Sequence, residues 1–226
     1  MNLDKRLSAA ARLVPVGARL ADIGSDHAYL PIALCLEGKI ECALASDIND
    51  GPVASALTNI AANGLGGKIK AIRADGLDGA RDFSPDCITV LGMGGELIVT
   101  ILSKADWIKD SGITLILQPM THPEVLAYYL AENGFDVVDE SVVCENGRTD
   151  RAYRIIKAVY SGVVRSIDAV DAYVGRKNLE RGDEDSKIYA RRTLYFLKNK
   201  IDGKRRSGAD VSGDAAIVEE IEKYIK

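Results

Sequence analysis

One glycine, two acids, a histidine and a tyrosine stand close together in Leu20-Ala21-Asp22-Ile23-Gly24-Ser25-Asp26-His27-Ala28-Tyr29-Leu30. These residue types suit a site where positive charge develops. Asp26 brings a carboxylate, His27 an imidazole of the kind that exchanges protons near neutral pH, and Tyr29 a ring face and a hydroxyl. The apolar run before Gly24 predicts a strand and the run after it a helix, so the group sits on a strand–turn–helix loop. Gly24 lets the chain turn tightly and a ligand approach the main chain, with the loop amides facing that ligand. A dinucleotide loop of the G-x-G-x-x-G type needs three glycines to seat a pyrophosphate on the helix N-terminus. This loop has one, and Asp26 stands where the second would be. A carboxylate there repels pyrophosphate and suits a ligand carrying a sulfonium and an ammonium. S-adenosylmethionine is such a ligand. Asp22, Gly24 and Ser25 are read as its binding residues, and Asp26, His27 and Tyr29 as the catalytic ones.

Two more acids follow in order. The next strand ends at Asp47, 23 residues after Gly24, where one carboxylate can accept from both hydroxyls of a ribose. The third strand is followed by Asp75-Gly76, placed to accept from an adenine amino group. Each acid alone reads equally well as a turn or cap residue. After three consecutive strands, together they predict an adenosyl-ligand site. Gly92-Met93-Gly94-Gly95 follows the fourth strand and opens a helix. It resembles an anion nest, on the wrong strand for a nucleotide fingerprint. Gly92 and Met93 are assigned to the cofactor side. Gly94 and Gly95 are assigned to the acceptor, where glycines leave room for a flat base and offer amides to its edge. Gln118-Pro119 closes the fifth strand on the same rim, either touching the acceptor or stopping the strand. Gly64-Leu65-Gly66-Gly67 reads as a helix C-cap and turn.

The elements that must position these residues alternate. Strands are predicted at Arg19–Ile23, Glu41–Ser46, Lys68–Arg73, Cys87–Leu91, Ile113–Leu117, Asp136–Val143 and Ala152–Val159. Helices are predicted at Tyr29–Glu37, Pro52–Asn63, Gly95–Ser103 and Pro123–Asn133, with Gly38, Gly64, Gly112 and Gly134 punctuating the ends. Leu3, Leu7, Ala10 and Val14 recur at helical spacing, which adds a short N-terminal helix. Alternation of this kind gives an α/β fold, a doubly wound parallel sheet covered on both faces. The last two strands follow one another with only the turn Glu145-Asn146-Gly147-Arg148 between them, so the sheet ends in an antiparallel hairpin. A Rossmann-like doubly wound sheet closed by a hairpin is the class I methyltransferase plan.

From residue 161 the pattern becomes helical only. Residues 1–160 carry 15 Lys and Arg against 21 Asp and Glu, and residues 161–226 carry 14 against 12. The chain is therefore read as a ligand-binding domain over 1–160 and a small helical, coiled-coil-like domain over 161–226. Ile167, Val170 and Val174 share a face, as do Ala190, Leu194, Leu197 and Ile201, and Ile217, Ile221, Tyr224 and Ile225 suggest a last helix. Two or three helices are expected, with Gly203 to Gly213 as a connecting loop. Lys187 to Arg206 holds eight basic residues and one acid, Asp202, with Tyr189 and Tyr195 interleaved. Charge runs are commonly a solvated helix face. A run this one-sided, attached to an acidic domain, points to phosphate contacts with RNA. Arg191, Arg192, Lys198, Lys204, Arg205 and Arg206 are assigned to that contact, and Lys5 and Arg6 of the first helix are added to it.

The 226 residues are 47% hydrophobic and 27% charged, which fits a globular chain with a sizeable core and excludes dominant disorder. No apolar stretch is long enough to span a membrane. The first residues do not read as a signal peptide. Four cysteines without a CxxC read as small buried apolar residues in a reducing compartment, and two distant histidines make a zinc site improbable. A cytoplasmic monomer with no metal and no membrane contact is the expectation.

The string Arg-Leu-Ala-Asp-Ile-Gly-Ser-Asp-His-Ala-Tyr-Leu-Pro-Ile, then Gly92-Met93-Gly94-Gly95, then Leu115-Ile116-Leu117-Gln118-Pro119, resembles the bacterial tRNA (adenine-N1)-methyltransferases that modify adenine 22 of tRNA. The resemblance runs from about Leu3 through Val159 and more loosely through the tail. It implies a class I methyltransferase domain followed by a helical domain, S-adenosylmethionine as cofactor and tRNA as substrate. Three positions depart from the family pattern. Met120 stands where Asn is expected, Asn146-Gly147-Arg148-Thr149 replaces an acid-Gly-Lys turn, and Asp47 replaces Glu. Three rival readings follow from the residues alone. A methyltransferase of a small molecule or protein would work without the tail. A non-catalytic adenosyl-ligand or RNA-binding module would tolerate changes at Asp26, His27 and Tyr29. A nicotinamide oxidoreductase is disfavoured by the missing glycines.

Overall fold

The computed structural model describes residues 2–110, 112–145 and 151–225. Asp4 caps α1 (Lys5–Leu13), its carboxylate accepting from the Leu7 amide at 2.6 Å. Strands β1 (Arg19–Ile23), β2 (Cys42–Asp47), β3 (Ile69–Arg73), β4 (Cys87–Met93) and β5 (Thr114–Pro119) run parallel. β7 (Ala152–Tyr160) is antiparallel to β5, and β6 (Phe135–Cys144) is antiparallel to β7. The sheet order is β3-β2-β1-β4-β5-β7-β6. Between the strands lie α2 (Tyr29–Leu36), α3 (Asp50–Ala62), α4 (Gly95–Ser103) and α5 (Pro123–Glu132). Every strand and helix predicted up to residue 160 is present, with ends shifted by at most two residues. Gly38, Gly64 and Gly134 take the left-handed conformation expected after a helix. Of the predicted hairpin turn, Asn146, Gly147 and Arg148 lie outside the described residues.

The sheet has apolar side chains on both faces because successive residues of a strand point to opposite sides. Leu20, Ala43, Ala45 and Ile116 join α1, α2 and α3 in one core, whereas Ala21, Ile23, Leu115 and Leu117 join α4 and α5 in the other. The crossover from β3 to β4 passes over the sheet, so the chain turns from one side of β1 to the other. Ligands of open α/β sheets bind at that switch, beyond the C-terminal ends of the strands. The loops after β1, β2, β4 and β5 therefore form one rim.

The tail contains α6 (Ala169–Tyr173), α7 (Arg176–Arg181), α8 (Glu184–Arg206) and α9 (Ser212–Glu222), four helices where two or three are expected. The predicted loop is also shorter, because α8 runs through Gly203 and α9 begins before Gly213. A glycine inside a helix costs about 1 kcal/mol. Burial of Ile201, and the pairing of Lys200 and Lys204 with Asp214 at 3.0 and 2.5 Å, favour continuing the helix past it. The tail packs on the hairpin, where Val142, Cys144 and Ala152 share a cluster with Val170, Leu194, Leu197 and Ile221.

Candidate active site

β1 delivers Asp22 into the interior. Its two carboxylate oxygens accept from the hydroxyls of Thr89 and Ser25, each at 2.6 Å. Thr89 lies directly beside Asp22 in the parallel register of β1 and β4. Burial pushes the Asp22 carboxyl above its ordinary value, opposed by the two hydroxyls and by the nearby Arg6 guanidinium. Sequence reasoning missed Thr89, although a lone Thr in the apolar strand Cys-Ile-Thr-Val-Leu is a signal that could have found it. Gly24 ends the strand with φ +74°. A Cβ there would lie 2.2 Å from the Met93 methyl group, so Gly24 and the β4 loop are in direct contact. The amides of Gly24 and Ser25 both donate to the Ser46 carbonyl, at 2.8 and 2.9 Å. This corrects the expectation that they face a ligand: these two tie the first loop to β2.

The next three residues open outward. The His27 Nε2 lies 3.2 Å from an Asp26 carboxylate oxygen, and the imidazole stacks on Tyr29 with centroids 4.9 Å apart. Ala28 between them is buried and held at φ +55°, a left-handed conformation unusual for a side chain. Asn59 of α3 donates to the His27 carbonyl at 3.0 Å, which fixes the turn from the far side. Asp22, Gly24, Ser25, Asp26, His27 and Tyr29 all line one cleft of about 280 Å³, together with Arg6. The structure thus brings the whole first motif together. Asp47 stands at the end of β2 and accepts from the backbone and side chain of Asn49, at 2.9 and 3.3 Å. Asp75 pairs with Lys104 at 3.3 Å, and with Gly76 it lines a separate hollow of about 40 Å³.

The β4–β5 rim is built by close backbone approach. Gly92 has φ +78° and donates its amide to Gln118 Oε1 at 3.1 Å. Arg6 Nη1 donates to the same oxygen, also at 3.1 Å, and Gln118 Nε2 donates to the Pro119 carbonyl at 3.0 Å. Gln118 is fully buried. It therefore holds the rim together from inside, a correction to the alternative in which it touches the acceptor. Gly95 donates to the Thr121 carbonyl at 2.8 Å, and a Cβ on it would fall 2.2 Å from the His122 carbonyl oxygen. A Cβ on Gly94 would meet the Thr121 hydroxyl at 3.1 Å. At Gly95 the free space and the amide expected to serve a base are filled by the β5–α5 loop. Pro119 is buried, in register with Met93.

Arg6 points into the cleft, with its guanidinium 6.0 Å from the Tyr153 ring, and Lys5 reaches the Cys144 carbonyl at 3.3 Å. Arg6 is thus engaged within the fold, a correction to its reading as an RNA contact, whereas Lys5 stays exposed. On α8, Arg191 pairs with Glu184 at 3.3 Å, Lys198 with Glu222 at 2.6 Å and Arg205 with Asp202 at 3.7 Å. Arg192 donates to the Ala152 carbonyl, and Lys204 is held by Asp214. Lys187 and Arg206 are exposed. The basic run is thus partly balanced by acids of its own helix and of α9. Tyr189, expected among the interleaved aromatics, is buried in the tail core. Tyr195 and Phe196 are the exposed aromatics of this helix. Among the described residues no three His, Cys, Asp or Glu side chains are grouped as metal ligands, and no helix is long and apolar enough to cross a membrane.

A sheet of this order, with an acidic one-glycine loop after β1 and a terminal hairpin, defines a class I methyltransferase. The methyltransferase-domain family model matches residues 3–156. The tRNA (adenine(22)-N(1))-methyltransferase of Bacillus subtilis is 38% identical over 148 residues, 66% of this chain and 62% of that protein's length. A Streptococcus pneumoniae protein described as a candidate tRNA (m1A22) methyltransferase, solved with S-adenosyl-L-methionine, superposes with TM-score 0.85 at 30% identity over the full length of both chains. M. capricolum TrmK, solved with S-adenosyl-homocysteine, gives 0.81 at 26% identity over 99% of this chain and 97% of its own. The chain belongs to the tRNA (adenine(22)-N(1))-methyltransferase family.

Proposed function

We propose that this chain transfers a methyl group from S-adenosyl-L-methionine to N1 of adenine 22 in tRNA. The observation that carries the reading is the acidic cleft at Gly24 on a methyltransferase sheet, with no glycine-rich seat for a pyrophosphate. The residues fit the cofactor. Gly24 and Ser25 line the cleft without a bulky side chain, while Asp22 and Asp26 give it the negative charge that a sulfonium and an ammonium require. Asp47 stands at the strand end where a ribose diol is bound in related folds. When bound, S-adenosylmethionine supplies a methyl group already activated by its sulfonium, so positioning supplies much of the rate.

Adenine N1 attacks through its lone pair and the base becomes cationic. Asp26 faces the cleft where that charge forms and stabilises it. His27 orients Asp26 through the contact between them, and Tyr29 presents a ring on which the base can stack. N1 lies on the pairing edge, so the adenine must leave any stack or pair before it enters. The exposed cations of α8, Lys187 and Arg206 foremost, would hold tRNA phosphates without reading sequence.

The test uses unmodified tRNA transcripts and cofactor with a labelled methyl group. Mass spectrometry of the digested product should place 1-methyladenosine at position 22 alone. Cofactor binding without transfer to any tRNA would overturn the reading.

A further inference from the structure

We propose that a groove between the β5–α5 loop and α8 binds a second, unmethylated base of the RNA, next to the adenine that enters the cleft. The proposal rests on the tRNA reading above. The groove encloses about 360 Å³, in the range of pockets that hold small flat ligands. Pro119, Met120 and Leu197 give it an apolar lining, completed by His122, Arg192 and Phe196.

Three observations identify the occupant. The first is continuity with the active site. Gln118 accepts from Arg6, which lines the cleft, and its amide nitrogen lies 3.5 Å from the sulfur of Met120, which lines the groove. One buried side chain therefore separates the two hollows, on the same rim of the sheet. The second is the pattern on α8. Arg192, Phe196 and Lys200 are four residues apart and line the groove together, so they form a single stripe with about 6 Å between successive positions. The Arg192 guanidinium lies 5.4 Å from the Phe196 ring centroid. An aromatic ring between two cations is the arrangement that holds single-stranded nucleic acid, the ring stacking a base and the cations meeting its phosphates. The third is exposure. Phe196 is 56% exposed and Met120 44% exposed, so two large apolar groups of the groove lining are uncovered. Among the groove's lining residues Glu124 is the acid, 3.3 Å from His122, and the α8 stripe brings Arg192 and Lys200, the latter paired with Asp214 at 3.0 Å. The exposed ring beside these cations favours a base with its phosphate over an acidic peptide, which offers no flat face to stack.

The experiment replaces Phe196 by Ala and by Trp in the full chain and measures steady-state methylation of tRNA. Phe196→Ala should raise KM for tRNA roughly 5- to 100-fold, the range of one lost base stack, with kcat and cofactor affinity unchanged. Phe196→Trp should restore KM. A photoreactive p-azidophenylalanine at the same position should crosslink to an unpaired nucleotide adjoining the methylated adenine. A KM within twofold of the parent for Phe196→Ala overturns the proposal. So do crosslinks confined to paired stems, or no RNA crosslink at all from a protein that still methylates tRNA, an outcome that would give the groove to a protein partner. If the unaltered protein methylates no tRNA, the functional reading itself fails, and the two failures are told apart by that control.

Discussion

Glu140 and Arg154 form an ion pair whose side chains are only 3% and 2% exposed. Each partner also fastens a piece of the tail. Arg154 donates to the carbonyls of Ala172 and Asp171 at 2.8 and 2.9 Å, and Asn178 donates to Glu140 Oε2 at 3.0 Å. A Cβ on Gly175 would fall 2.0 Å from that same oxygen, so the chain between α6 and α7 passes directly over the carboxylate. The strands of the hairpin are therefore bolted to the helical tail through one desolvated charge pair. Removing one partner leaves the other buried without its countercharge. Glu140→Ala should lose about 3–5 kcal/mol in urea denaturation. A loss below about 1 kcal/mol would mean that water reaches Arg154.

Asp22 makes an opposite kind of prediction. Burial holds its carboxyl above the ordinary 3.8. The native state therefore binds this proton more tightly than the unfolded chain does. The stability attached to it is fully present below 3.8 and is lost as pH rises through the folded value. Asp22→Asn imitates the protonated form. Its advantage in melting temperature over the parent should be largest at neutral pH and should shrink as pH falls toward 3.8. Cofactor affinity should move the other way, weakening more than tenfold at neutral pH if the carboxylate meets a cationic ligand group, worth about 1.5–3 kcal/mol. Melting curves across pH and calorimetric titration check both. A melting gap that widens in acid would refute the assignment.

At Gly95 the constraint is backbone against backbone. The 2.2 Å approach of a Cβ to the His122 oxygen cannot be relieved by turning a side chain. Gly95→Ala should cost about 1–3 kcal/mol and should push the β5–α5 loop away from β4, lowering turnover as well. Gly66→Ala is the control. It meets nothing within 4 Å, so its melting temperature should stay at the parent's value.

The contrast explains what was legible in the sequence. Strand alternation and helix punctuation are local, so element order and the closing hairpin followed from residues that are neighbours along the chain. The first motif was legible for the same reason, since Asp22 to Tyr29 occupy a single turn. Contacts between distant segments were not. Nothing local says that Arg6 reaches Gln118, 112 residues away, or that Gly95 is small because His122 passes over it. Both were read as substrate contacts because a glycine and an arginine carry the same local signature whether they serve a ligand or the fold. Tyr189 failed similarly. Its spacing matched Leu197 and Ile201 as well as the basic run, and burial in the tail core decided the matter.

Asp26 and His27 separate two accounts of the chemical step. If N1 attacks through its lone pair, no proton leaves the base before the methyl group arrives, so a general base is unnecessary and a negative charge beside the ring is what matters. Asp26→Asn keeps the shape and removes the charge. It should lower the single-turnover rate by about tenfold, a modest value for an electrostatic contribution because the side chain is 65% exposed and partly screened by solvent. His27→Ala should lower it less, through lost orientation of Asp26 and lost stacking on Tyr29. Its rate should follow the same pH dependence as the parent. A loss of two or more orders of magnitude in His27→Ala would instead make the imidazole a proton acceptor in the rate-limiting step. Rapid-quench measurement of labelled methyl transfer at saturating tRNA decides between them, because it isolates the chemical step from binding and product release.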